Sequence, residues 1–282
     1  MRRPGVESLA AYNLPMLPGP LIALIPFLAA GFALAWVIAL PAAIRRGFWI
    51  RPKFATLPLD EGLRELNRPE LVAACDRLDR LAEQLQMLGY HETQRLLAPD
   101  VASRCTLMLL LARDHRTETM AGVQLVWHGS PSDPKLELRG EYFGFETPLV
   151  APDGQPLTVQ TTTSPQLFPA PPSHRLLCVD WIDSLETVHE THRLHCEQTQ
   201  PTGARPLADA DTLPERLTRR HARVMAAAVA AGYLTPVRPG LLQLTGRGAM
   251  RIAAQLVWPV AAARRARQRR LTRRQLAAWG VS

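Results

Sequence analysis

The densest group of side chains able to do chemistry lies in the run HETHRLHC, which holds three histidines and a cysteine. On a helix, residues three or four positions apart are neighbours, and zinc accepts both imidazole nitrogen and thiolate sulfur. The residues that would bind zinc are His189, His192, His195 and Cys196. We favour the alternative, a partly solvated helix face, because the His-Glu-x-x-His order of zinc proteases is missing and no other His or Cys pair completes the set. We expect no metal and no cofactor.

Other catalytic patterns are missing from the sequence. It contains neither the G-x-S-x-G turn of serine hydrolases nor a glycine-rich phosphate loop. Asp180 and Asp183 could act as a carboxylate pair, but Asp183 together with Glu186 fits the capping box of the histidine helix. The four cysteines include no C-x-x-C pair and are predicted to be buried free thiols. The sequence therefore favours a non-catalytic role, with a metal-dependent hydrolase as the least favoured function.

Charge is segregated along the 282 residues, whose net charge is +8. Glu7 is the one acidic residue before position 54, and no Asp or Glu follows Glu215, whereas 14 arginines do. The chain is therefore an acidic middle between two basic ends. Basic segments of this kind bind anionic lipid, nucleic acid or an acidic protein face, including the acidic middle of the same chain.

The segment Leu21–Ile44 carries no charge and is almost entirely apolar. About 20 such residues cross a hydrocarbon core of about 30 Å as a helix, so the segment predicts a single transmembrane helix. A cleaved signal peptide and a buried core helix are the alternatives. Basic residues follow the C-terminal end of the segment, and such residues favour the cytoplasmic side of a membrane. The sequence therefore predicts a bacterial inner-membrane protein whose residues after the span lie in the cytoplasm. The basic residues are Arg45, Arg46, Arg51 and Lys53.

The middle of the chain predicts an α+β domain. A helix is expected over 69–88, where leucines recur at helical spacing before Gly89, and about five strands follow before the histidine helix. We expect an antiparallel sheet with flanking helices. The predicted division is a short N-terminal segment (1–20), a transmembrane helix (21–44), a basic juxtamembrane spacer (45–59), an acidic cytoplasmic α+β domain (60–200), a linker (201–213) and a basic helix–hairpin–helix tail (214–282).

Part of the tail resembles a winged-helix regulator. A helix is followed by Gly232-Tyr-Leu, a short turn, and Leu244-Thr-Gly-Arg-Gly248, which is similar to the run that closes the wing in that family. The resemblance covers 219–251 and lacks the two helices that precede the recognition helix in the family. It implies DNA contacts by Arg219, Arg220, Arg223 and Arg238. A helix–hairpin–helix without a nucleic-acid role remains the alternative.

The last segment of the tail is rich in arginine. It is interpreted as a helix on the anionic inner leaflet, with nucleic acid binding and a solvated tail as alternatives. The predicted membrane-surface residues are Trp258, Arg264, Arg265, Arg267, Arg269, Arg270, Arg273, Arg274 and Trp279. The predicted function is a non-catalytic membrane scaffold, adaptor or sensor, and a membrane-tethered DNA binder is the alternative. The predicted partners are the lipid bilayer with its anionic head groups, a membrane protein or a second copy of the chain, and, less favoured, nucleic acid.

Overall fold

The computed structural model describes residues 39–59, 68–129, 135–208, 210–256 and 260–280. Contacts divide the chain into two units, 1–40 and 41–282. The strands and helices below belong to the second unit.

Eleven strands form one mixed sheet, in which only β7 and β8 run parallel among the described strands. The strands are β1 (Trp49–Ile50), β2 (Leu57–Pro58), β3 (Glu92–Ala102), β4 (Cys105–Asp114), β5 (Thr119–His128), β6 (Glu137–Val150), β7 (Pro156–Thr162), β8 (His174–Cys178), β9 (Arg205–Pro206), β10 (Leu234–Arg238) and β11 (Leu241–Leu244). Their order is β10-β11-β1-β3-β4-β5-β6-β7-β8, with β2 beside β3 and β9 beside β6.

The sheet is larger than predicted, and the expectation of about five antiparallel strands is wrong. Strand β3 reads ETQRLLAPDVA and does not alternate between polar and apolar residues, so its sequence carried no strand signal. Strands β1, β2 and β9 have two residues each, too few for any period to show. Two of these short strands lie in the predicted spacer 45–59, and β9 lies in the predicted linker 201–213.

Besides the helical stretch 39–47, five helices lie within the described residues: α1 (Pro69–Met87), α2 (Leu185–Thr199), α3 (Leu213–Ala230), α4 (Gly246–Leu256) and α5 (Val260–Ala278). Helix α1 confirms the prediction over 69–88 and ends before Gly89, whose φ of 95° is the left-handed conformation that glycine adopts freely. The predicted cap of α2 is wrong by one residue. Ser184, and not Asp183, is the N-cap, and its Oγ accepts from the amide of Thr187 at 3.3 Å.

Both faces of the sheet are covered. Side chains alternate along β4, so Met108 and Leu110 pack with α1 and α2 on the first face, and Leu109 and Leu111 pack with α3 on the second. Leu276 in the last turns of α5 belongs to the first-face core. Helices α3 and α5 therefore pack on opposite faces of the sheet.

A third core joins the start of the described chain to the tail. Ile50 of β1 packs with Leu242 and Leu244 of β11, and the cluster also contains Phe168 and Ile252. Strand β1 pairs with β11 on one side and β3 on the other, so the tail hairpin continues the sheet of the middle.

The run 244–248, which resembles the end of the wing in winged-helix regulators, has a structural role at the start of α4. Thr245 Oγ1 accepts from the amide of Gly248 at 3.0 Å and donates to the carbonyl of Gly232 at 2.7 Å, which caps α4 and ties it to the turn after α3. A Cβ on Gly248 would overlap the carbonyl oxygen of Tyr233, so only glycine allows this close approach.

The predicted transmembrane helix is not found among the residues that the structure describes. Of the span 21–44, residues 21–38 lie outside the described residues, and the described stretch 39–47 is helical. Arg45 and Arg46 are exposed in the last turn of this stretch. Within the described part of the chain, no helix is long and apolar enough to cross a membrane. This finding contradicts the predicted single-pass inner-membrane protein with a cytoplasmic C-terminal domain, and with it the membrane scaffold function.

Candidate functional site

Helix α5 contains the candidate site. One face of α5 packs against the rest of the protein. Ala261, Thr272 and Leu276 are buried. Trp279, just after the helix, stacks on His195 of α2 with ring centroids 5.7 Å apart. Its indole therefore packs against the protein, whereas the prediction used it as an anchor in a membrane surface. The other predicted anchor, Trp258, lies outside the described residues.

The arginines of α5 divide into two that contact the body and five that do not. Arg269 Nε lies 3.1 Å from Asp180 Oδ1, and the guanidinium of Arg273 lies 5.4 Å from the ring centroid of Trp181. These contacts hold one flank of the helix against the loop after β8. No carboxylate among the described residues pairs with the others, which are Arg264, Arg265, Arg267, Arg270 and Arg274, all exposed.

The exposed arginines are spread around the helix rather than aligned in one stripe. With 3.6 residues per turn, Arg264, Arg267, Arg270, Arg273 and Arg274 cover about 180° of the circumference opposite the buried line. Arg265, Arg269, Arg270, Arg273 and Arg274 border an open depression of about 760 Å³. The depression is otherwise lined by Ala262, Ala266 and Ala277, whose side chains are much shorter than those of the arginines.

The basic residues predicted to flank a membrane span lie instead beside the sheet. The carbonyl of Arg45 accepts from Gln243 Nε2 at 2.9 Å, and the carbonyl of Arg51 accepts from His221 Nε2 at 2.8 Å. The side chains of these two residues, and those of Arg46 and Lys53, are exposed. The backbone of Arg45 thus lies next to β11, and that of Arg51 lies next to α3.

The predicted DNA contacts on α3 face a different environment. Arg220 Nε lies 3.1 Å from Glu146 Oε2 on β6, and Arg219 forms an ion pair with Asp211. Arg223 is exposed and has no carboxylate partner among the described residues. Arg238 is exposed at the end of β10. Two of the four residues are therefore already paired with carboxylates of the protein.

Two of the three histidines of α2, His192 and His195, are buried against the sheet, and His189 is half-buried. His192 Nε2 lies 2.9 Å from Thr147 Oγ1, and its Nδ1 lies 3.1 Å from Thr161 Oγ1. The same Thr161 hydroxyl lies 3.1 Å from His195 Nδ1. Thr161 has a single proton, so at most one of the two imidazoles accepts from it and the other must donate to it. Both nitrogens of His192 are thereby satisfied within the protein.

Burial keeps these side chains uncharged. It lowers the pKa of His192 to about 3, with the neighbouring His195 and His189 adding to the effect, and lowers the pKa of His195 to about 4. Burial also raises the pKa of the Cys196 thiol to about 11. A thiol binds metal as thiolate. Among the described residues, no group of three or more His, Cys, Asp or Glu side chains could hold a metal ion.

Sequence reasoning missed Asp180 and Trp181 as the partners that hold α5. The sequence pattern relates Asp180 only to Asp183, and it gives Trp181 no functional partner. No local pattern relates them to arginines that lie 89 and 92 positions further along the chain.

The chain matches no family model, no curated protein and no solved structure.

Proposed function

We propose that the protein binds duplex nucleic acid through the arginines of α5, by contacts to the phosphate backbone that do not depend on base sequence. One observation carries the proposal: an ordered helix presents five exposed arginines over half of its circumference, and no carboxylate among the described residues pairs with them. These arginines are Arg264, Arg267, Arg270, Arg273 and Arg274. Arginine binds phosphate in a bidentate manner and keeps its charge at every physiological pH.

The distribution of the arginines supports a groove rather than a flat surface. The major groove is about 12 Å wide and admits one α-helix, with a phosphate backbone on each side. Arginines on both flanks of a helix can reach both backbones, whereas a flat bilayer meets one side only. From Arg264 to Arg274 the helix rises about 15 Å, a length over which duplex DNA carries about nine phosphates.

The apolar residues of α5 support the same conclusion. A helix that lies in a membrane interface inserts an apolar face with aromatic anchors. Here Ala261 and Leu276 pack on the protein, and Trp279 stacks on His195. Leu271 and Val260 are the large apolar side chains that α5 leaves exposed. They do not form a continuous face.

Binding of a labelled duplex by fluorescence anisotropy, measured over a range of salt concentrations, tests the proposal. The variant carries Arg264→Gln, Arg267→Gln, Arg270→Gln and Arg274→Gln. If all four arginines contact phosphates, the slope of log K against log[salt] becomes shallower by about 3 to 4. We expect affinity at low salt to fall with it.

A charge-matched variant supplies the control. Arg80→Gln, Arg104→Gln, Arg116→Gln and Arg175→Gln remove the same charge from exposed positions elsewhere, and should leave the slope close to that of the natural chain. Equal slopes for the two variants would mean that net charge, and not α5, holds the duplex. Binding to anionic vesicles that excess duplex does not compete away would contradict the proposal in favour of a lipid surface.

A further inference from the structure

One part of helix α5 stands clear of the rest of the protein. Residues 263–268 are all exposed, and six successive residues exceed one turn of 3.6 residues, so this segment is open to solvent around its whole circumference. The buried residues that hold the helix lie on either side of the segment, Ala261 before it and Thr272 and Leu276 after it. Helix α5 therefore forms a ridge and not a face level with the surface.

The arginines of this ridge point to both of its sides. Arg264 and Arg273 are nine positions apart, so at about 100° per residue they leave the helix in opposite directions. The guanidinium of Arg273 lies 5.4 Å from the ring centroid of Trp181, which keeps that arginine on its side of the helix. A flat ligand laid on the ridge would leave both of these side chains beside it. A groove has a wall on each side, and each wall would meet one of them.

The two kinds of nucleic-acid duplex differ in whether a groove admits such a ridge. In B-form DNA the major groove is about 12 Å wide and about 8.5 Å deep. An α-helix with its side chains is about 10 to 12 Å across, so it fills the width of this groove while the attached side of the helix stays outside. In A-form RNA the major groove is deep and too narrow for side chains to read, and the minor groove is wide and shallow.

Small side chains on the ridge favour a close approach to the floor of a groove. Ala263 and Ala266 are exposed between the arginines of the segment 263–268. A methyl group adds little to the radius of a helix, so the backbone of α5 can come close to a duplex there. A shallow groove does not require this close approach.

We propose that α5 recognises its duplex by the shape of the groove, so that the protein binds B-form DNA and discriminates against double-stranded RNA. This inference rests on the proposed duplex binding and adds the class of nucleic acid to it. On A-form RNA the arginines of only one side of α5 reach phosphates, because the shallow minor groove has no second wall within reach.

Fluorescence anisotropy of the full chain with two labelled 20-bp duplexes of the same sequence, one DNA and one RNA, tests the inference. A charged hydrogen bond contributes about 1.5 to 3 kcal/mol, so the loss of one or more phosphate contacts should weaken RNA binding about tenfold or more relative to DNA. The slope of log K against log[salt] should be about half as steep for RNA, because it follows the number of phosphates contacted.

A change of shape without a change of charge separates groove insertion from general attraction. Ala263→Leu together with Ala266→Leu enlarges the ridge and keeps residues that favour a helix. This variant should weaken DNA binding about tenfold and leave RNA binding within about twofold, since one tenfold step is about 1.4 kcal/mol. Ala73→Leu together with Ala226→Leu, at exposed positions on α1 and α3, is the matched control and should change neither.

The outcomes distinguish this inference from the proposed function. Equal affinities and equal salt slopes for DNA and RNA would overturn the shape preference and leave duplex binding in place, and tighter binding of RNA would overturn it in favour of the A-form duplex. Equal weakening of both duplexes by the two leucines on α5 would also overturn it. Failure of both duplexes to bind the natural chain would overturn the proposed function, and the inference with it.

Discussion

At the scale of single residues, the histidine run serves the core rather than a ligand. His192 sits in a chain of hydroxyl contacts that continues from Thr147 to Thr119 at 2.7 Å and from Thr119 to Thr117 at 2.8 Å. Thr117 donates to Asp114 at 2.7 Å. A buried network in which every member is bonded stabilises one arrangement of strands and helix, because any slip leaves a polar group without a partner.

We expect stability to fall in mild acid because of these histidines. The folded pKa values of about 3 and about 4 for His192 and His195 lie below the ordinary value near 6.5, so the unfolded chain binds more protons below pH 6.5. The free energy of unfolding therefore falls as pH decreases from 6.5 towards 4, by up to about 1.4 kcal/mol per pH unit for each histidine. Urea unfolding at a series of pH values measures this slope.

Two substitutions identify the source of the slope. His192→Gln places near the threonines a side-chain amide that cannot take up a proton. The variant should therefore make the free energy of unfolding depend less steeply on pH between 4 and 6.5. His91→Gln, at an exposed histidine, should leave the dependence unchanged. The same slope in both variants would mean that carboxylates, and not His192, dominate acid unfolding.

Sequence spacing predicted that the histidines share a helix but not what they face. Thr147 and Thr161 belong to β6 and β7, and their hydroxyls reach His192 only because the two strands pair in one register, with Phe145 opposite Thr161. A shift by one residue would turn both threonines to the other face. Register is a property of paired strands, so the environment of His192 could not be read from its own segment.

At the scale of elements, the cap of α2 provides a direct test of local structure. Ser184 Oγ accepts from the amide of Thr187 and donates to Glu186 Oε2 at 2.7 Å. Ser184→Ala should lower the free energy of unfolding by about 1 kcal/mol, since an amide of the first turn loses its partner. Chemical denaturation measures the loss.

The neighbouring acid serves as the control for that cap. Asp183 is exposed and was the residue that the sequence predicted as the cap. Asp183→Ala should change stability by less than about 0.5 kcal/mol. A larger loss from Asp183→Ala than from Ser184→Ala would show that the helix cap lies one residue earlier than the structure has it.

The elements that sequence predicted well are those with a long internal period. Helix α1 was expected over 69–88 and is found at Pro69–Met87, since five leucines and alanines at helical spacing are buried there. Strand β1 was missed because two residues have no period, and its position depends entirely on pairing with β11 and β3.

At the scale of the whole molecule, one sheet connects segments that composition separated. Charge and proline content placed boundaries near residues 60, 200 and 214, whereas β1, β9 and β11 carry the sheet across all of them. Phe54, within the predicted spacer, is 8% exposed and packs in the same core as Leu217 of α3. Charge and proline content therefore did not predict which strands pair across these boundaries.

Continuity of the sheet predicts that the middle and the tail unfold together. Leu110 on β4 and Leu244 on β11 are both fully buried, in different cores. Leu110→Ala and Leu244→Ala should each cost about 2 to 5 kcal/mol, and each should lower the midpoint of one and the same transition. Val237→Ala, at a position 47% exposed on β10, should change little and controls for substitution within the hairpin.

Agreement between two probes decides whether the transition is shared. Trp127 lies in the core of the middle and Tyr233 packs against the core of the tail. The chain has six tryptophans and four tyrosines, so the two probes are single ¹⁹F NMR resonances of fluorotryptophan and fluorotyrosine, assigned by Trp127→Phe and Tyr233→Phe. We expect their unfolding curves to coincide in the natural chain and in both leucine variants. Loss of the tail signal in Leu244→Ala at a denaturant concentration that leaves the Trp127 signal intact would show that the hairpin and α4 unfold as a separate unit. The two residues of β1 would then be too short a connection to couple the tail to the sheet.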